Sequence, residues 1–172
     1  WTTVGWIKDL KQAWGIDHIY TLGLSGGGYP ALRYGMDLGA TRILTFAAPT
    51  ELTTTLSQID KRGTGILHRL WTRRPHMCLN LREEIAKLGD AAPEIVNYYG
   101  ADMPEDSYHA RNIEGLPTVS SRPVAGLAAH GVGAWLKQSG MLRDTLHEFL
   151  REASGAALGV PTGVQTLRAS WP

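Results

Sequence analysis

Near the start of the chain, Gly23-Leu24-Ser25-Gly26-Gly27 carries the pattern G-x-S-x-G. A serine between glycines at that spacing suits a sharp turn from a strand into a helix. There the backbone is strained and neighbouring side chains would crowd it. Such a turn lifts the Ser25 hydroxyl above the carboxyl edge of a sheet. It also aims the next backbone N–H, that of Gly26, at an oxyanion developing beside it. A serine hydroxyl becomes an effective nucleophile only when a base takes its proton and an acid orients the base.

Six histidines are available as that base. His18 lies at the entry end of a strand, on the wrong side of a sheet. His147 falls within the last helix, His68 and His76 within a long central stretch, and His109 within a short helix. His130 follows the last strand, in a loop just before the closing helix, which places it at the same sheet edge as Ser25. The orienting acid is expected one strand earlier. The loop Tyr98-Tyr99-Gly100-Ala101-Asp102-Met103-Pro104-Glu105-Asp106 offers three carboxylates. Asp106 is favoured over Asp102, with Glu105 third, although an aspartate just before a helix also serves as an ordinary N-cap.

Rival chemistries fit less well. Gly26-Gly27-Gly28-Tyr29-Pro30-Ala31 is a loose G-x-G-x-x-A, but the next strand ends Phe46-Ala47-Ala48-Pro49, without the acidic residue that would hold a ribose. No lysine follows the glycines as a phosphate-cradling loop requires, and no H-E-x-x-H or similar metal-ligand spacing occurs. The expectation is a site without cofactor or metal.

The elements that must position these residues follow from hydrophobic periodicity. Residues 4–14 read as an amphipathic helix, 18–24 as a buried strand, 29–38 as a helix and 41–47 as a second strand. Strand, helix and strand in so short a span make a βαβ unit with parallel strands and a right-handed crossover. A second unit follows: strand 94–99, helix 107–114 and strand 118–123. An amphipathic stretch over 132–151, dipping at Gly140, closes the domain. The fold class is α/β, a mostly parallel sheet with helices on both faces. Residues 50–93 form a mixed, lid-like or irregular insertion, basic near Arg69, Arg73 and Arg74, with one helix at 81–88. Residues 1–153 make one domain, and the Gly-, Ala-, Pro- and Ser-rich tail at 154–172 reads as poorly ordered.

At 172 residues, 43% hydrophobic and 19% charged, with a formal net charge of +1, the chain has an ordinary globular composition. That charge gives no reason to expect nucleic acid as partner, and no apolar run is long enough to span a membrane. Cys78 stands alone, so no internal disulfide or cysteine zinc cluster can form. Trp1 in place of Met reads as a fragment or processed product, which leaves room for a signal peptide already removed. Localisation is almost unreadable, with the cytoplasm favoured.

With these residues assembled, the chain resembles the α/β-hydrolase superfamily over residues 6–150. Tyr20-Thr21-Leu22-Gly23-Leu24-Ser25-Gly26-Gly27-Gly28-Tyr29-Pro30-Ala31-Leu32 looks like that superfamily's nucleophile elbow, and the order Ser, Asp, His is the superfamily's own. Pro49 after the next strand, and Asp106 followed by His109-Ala110 and then His130, look like bacterial members found beside polysaccharide-biosynthesis modules. The resemblance implies Ser25 as nucleophile, His130 as base, Asp106 as acid and Gly26 as oxyanion donor. It implies hydrolysis of a small-molecule or glycan ester, amide or thioester through an acyl-enzyme. The chain departs from the family pattern before the elbow, where members usually carry further strands and a second oxyanion donor. A non-catalytic binding or scaffold module is the alternative.

Overall fold

The computed structural model describes residues 2–151; the expected disordered tail at 154–172 lies outside them. Helix α1 (Thr3–Ala13) is N-capped by Thr2, whose hydroxyl accepts from the Gly5 N–H. Strand β1 (Tyr20–Leu24) leads through a 3-10 turn at Ser25–Gly27 into α2 (Gly28–Leu38). Gly39 ends that helix at φ +60°, a left-handed cap that glycine adopts without strain. The chain continues through β2 (Arg42–Phe46), α3 (Leu56–Ile59), α4 (Thr64–Arg73) and α5 (Leu81–Leu88). It ends with β3 (Glu94–Gly100), α6 (Pro104–Ile113), β4 (Val119–Val124), α7 (Val132–Gln138) and α8 (Leu142–Arg151).

The four strands form one parallel sheet in sequence order, β1-β2-β3-β4. Their alternation splits the core in two. Ile43 and Ile95, paired across β2 and β3, face α2, α5 and α6, where Leu32, Leu81, Ile85 and Ile113 meet them. Leu44 and Val96, one residue further along, face α7 and α8 through Val132, Leu136 and Phe149. Arg42 crosses from the sheet to α8: it is buried, donates to the Phe149 carbonyl, pairs with Glu94 at 2.7 Å and lies 5.0 Å from the Phe149 ring centroid.

Several expected elements differ from those found. The first strand is two residues shorter and is an edge, so Leu22 and Leu24 are 46% and 51% exposed instead of buried. Pro123 falls within β4, the opposite edge strand, where a missing N–H is tolerated. Helix α6 begins at Pro104, not Ser107, because proline suits the first helical turn. Asp106 therefore sits inside that turn and is not the residue before it. The closing stretch is two helices, broken where Gly140 takes φ +77°. Within residues 50–93, an antiparallel bridge between Glu51 and Asn80 ties the two ends together. Helix α5 lies outside that tie and covers the sheet, while α3 and α4 lie inside it.

Candidate active site

The elbow is built by close packing at two glycines. A side chain at Gly23 would meet the Gly27 carbonyl oxygen at 2.3 Å, and one at Gly28 would meet the Ala48 β-carbon at 2.3 Å. Gly26 and Gly27 face open space instead, so the steric demand of the turn falls on Gly23 and on Gly28, just beyond the pentapeptide. Ser25 takes φ +50°, a left-handed conformation costly for a residue with a β-carbon. Its side chain is exposed at the carboxyl end of β1.

The loop after β4 brings His130 to the same edge. Its Nε2 lies 2.6 Å from Ser25 Oγ, and its Nδ1 lies 2.7 Å from Asp106 Oδ1. Asp106 is buried at the start of α6, whereas Asp102 is exposed. The structure thus brings Ser25, His130 and Asp106 together and leaves Asp102 and Glu105 out of the chain of contacts. Gly26 lies in the turn directly before α2 and lines the same cavity as Ser25 and His130.

A scan against protein-family models and a search of curated proteins both find no match. Solved structures do match. MenH from S. aureus superposes with a TM-score of 0.59 at 13% identity, covering 87% of this chain and 74% of that one. An alpha/beta hydrolase from the metagenome of lagoon sediments at Mar Chica, Morocco, gives 0.56 at 13% identity, covering 87% and 68%. A carboxylesterase structure from the Thaumarchaeon Nitrososphaera gargenis gives 0.56 at 12% identity, covering 87% and 71%. The chain has the α/β-hydrolase fold.

On this α/β-hydrolase scaffold, Arg62 and Asp60, which the sequence did not single out, stand beside Asp106. Arg62, between α3 and α4, donates through Nη1 to Asp106 Oδ1 at 2.8 Å and reaches both carboxylate oxygens of Asp60. Its Nη1 is also 2.7 Å from His130 Nδ1, so guanidinium and imidazole compete for one carboxylate oxygen. Burial opposes the charge on Asp60, but the hydrogen bonds and charge of Arg62 outweigh it and hold the carboxyl below its usual range. The two carboxylates likewise hold the Arg62 guanidinium firmly protonated, against the effect of burial.

His109 belongs to the same cluster. It is buried, and its Nδ1 accepts from the Thr50 N–H at 3.1 Å, which leaves the proton on Nε2, 3.5 Å from Asp60. Burial, the largest influence, pushes its pKa down, with Asp60 pulling the other way. Nothing in the local sequence marks Arg62: it lies 44 residues from Asp106, and no spacing rule links them. Arg69, Arg73 and Arg74, the basic residues that stand out in the sequence, are exposed on α4 and its end.

A cavity of about 500 Å³ opens onto Ser25. Besides Ser25, Gly26, His130, Asp60 and Arg62, its walls are apolar, with Leu52, Leu56, Ile66, Leu67, Leu70 and Met77 prominent. The α3–α4 segment supplies much of this wall and is pinned to the body. Tyr29 of α2 donates to the Met77 carbonyl at 2.9 Å and accepts from the Leu79 N–H, and Trp71 donates to the Leu52 carbonyl at 2.6 Å. Among the described residues no group of histidine, cysteine and carboxylate side chains is arranged to hold a metal ion, and no helix is long and apolar enough to cross a membrane.

Proposed function

We propose that the protein is a serine hydrolase that cleaves a carboxylic ester through an acyl-enzyme. The observation that carries this reading is the continuous path from Ser25 Oγ to His130 Nε2 and from His130 Nδ1 to the buried Asp106, with separations of 2.6 and 2.7 Å. In the productive tautomer Nδ1–H donates to Asp106, and Nε2 accepts the Ser25 proton as Oγ attacks the carbonyl carbon. The Gly26 N–H donates to the oxyanion. Collapse of the tetrahedral intermediate breaks the ester C–O bond, and His130 returns the proton to the leaving alcohol. Water, activated by the same imidazole, then releases the acid and restores Ser25. The segment carrying α3 and α4 acts as a cap over the acyl-transfer centre.

The α/β-hydrolase neighbours support the class of chemistry, and one of them, a carboxylesterase, agrees with an ester as substrate. A second reading, a binding module that has lost catalysis, draws on Arg62. A cation 2.7 Å from Nδ1 disfavours the imidazolium that forms during acyl transfer. Labelling with a fluorophosphonate separates the two. An adduct on Ser25 that disappears in His130→Ala is the expected result, together with a fall in ester turnover of about 10⁴-fold or more in Ser25→Ala. A chain that stays unlabelled and turns over no ester is the binding module.

A further inference from the structure

Helix α4 is amphipathic, yet its apolar stripe is not spent on the core. Ile66, Leu67 and Leu70 share one helical face, and all three line the cavity over Ser25. Leu67 is 7% exposed, but Ile66 remains 60% exposed at the rim, with Met77 exposed nearby. Leu52 and Leu56 from the chain before α4, and Pro30 of α2, line the same cavity. At about 500 Å³ the chamber is within the range that encloses a small organic ligand.

The charges beside it argue about the ligand as strongly as the apolar walls. Arg62, the one cation on the lining among the described residues, is shared between Asp60 and Asp106. One positive charge against two negative ones leaves an anionic substrate group no compensating partner, and it would meet repulsion in a largely apolar setting. A sugar would fare little better, because its hydroxyls would lose water against leucine and isoleucine side chains without new partners.

Resting on the hydrolase reading, we propose that the substrate is a neutral ester whose hydrocarbon chain fills the chamber between α4 and the Leu52–Leu56 wall, with α4 supplying chain-length selectivity. Each methylene moved from water into the chamber improves kcat/KM by roughly fourfold until the space is full.

The 172-residue chain is assayed against two series, p-nitrophenyl esters from acetate to decanoate and alkyl acetates of matching length. The expected result is a rise of about 100-fold or more in kcat/KM from two to eight carbons in one series. p-Nitrophenyl hemisuccinate, which carries a carboxylate, should fall below the neutral butyrate. Ile66→Asn, at an exposed position that does not threaten folding, should cut the eight-to-two-carbon ratio at least tenfold. Profiles that stay flat or fall in both series, or a hemisuccinate preferred to butyrate, would overturn the proposal.

An uncleavable ligand keeps this failure separate from that of the hydrolase reading. n-Octyl p-nitrophenyl ether should raise Tm in a concentration-dependent way, and Ile66→Asn should weaken the shift. If no ester turns over while the ether still stabilises, the chamber proposal survives as a binding site and the hydrolase reading falls. If esters turn over with a flat profile and the ether does nothing, the reverse holds.

Discussion

Helices α4 and α5 follow each other in the chain, and both are amphipathic, yet they put their apolar faces to different uses. In α5, Leu81 and Ile85 are almost fully buried against the sheet, and the helix completes the core on that side. In α4, the equivalent stripe lines the cavity that Ser25 also lines. A hydrophobic period reports that a helix has a face to hide, but not whether another part of the chain or something outside it will do the hiding. α5 is therefore spent on stability, and α4 is held ready by a few polar ties.

The comparison can be broken first by truncation. Ile85→Ala should cost about 3 kcal/mol, as a buried side chain lost from a packed core does, while Ile66→Ala should stay within about 0.5 kcal/mol. Urea unfolding of both variants measures the gap, and equal losses would place α4 in the core after all. Next comes the tie itself. Arg62→Met leaves Asp60 buried without its cation and should lower stability by about 2 kcal/mol, a Tm drop of roughly 4–8 °C, with Asp60→Asn restoring part of it.

A smaller effect of opposite sign is expected at the elbow. Ser25→Gly relieves the left-handed φ of an exposed residue and should raise stability by up to about 1 kcal/mol while abolishing turnover. A drop in Tm would show that the strain is imaginary.

The smallest effect concerns pH. His109 has a folded pKa below its ordinary value, so the unfolded chain binds the proton more readily. The stability this contributes is complete above about pH 6.5 and is lost as pH falls through the folded value. Asp60, also lowered, adds a loss of the same sign at more acidic pH. Tm followed from pH 7.5 to 5 should decline, and His109→Gln should flatten the upper part of that decline.

The parallel strands, the elbow and the two ends of the Ser25–His130 contact were legible because each rests on a local pattern: an apolar run, a glycine cluster, a loop after a strand. Asp106 was legible as the favoured one of three carboxylates in a loop before a helix, but its place inside the first turn of α6 was not, since that depends on where the helix begins. Pro104 carried that signal. The edge exposure of β1 escaped the pattern because an apolar strand reads the same whether or not a neighbour covers it. Arg62 and the Asp60–His109 contact escaped entirely, being meetings between segments that only the finished packing brings together.

That dependence on finished packing has a kinetic side. Parallel strands in sequence order allow each strand to dock beside its predecessor, so we expect β1, the elbow and β2 to assemble before β4. His130 lies 105 residues beyond Ser25 and arrives only after β4 is in place. In that order of assembly the serine stands on the sheet before the imidazole reaches it. On the mechanism proposed above, fluorophosphonate labelling of Ser25 during refolding should lag behind sheet formation and rise as the loop after β4 closes onto the elbow.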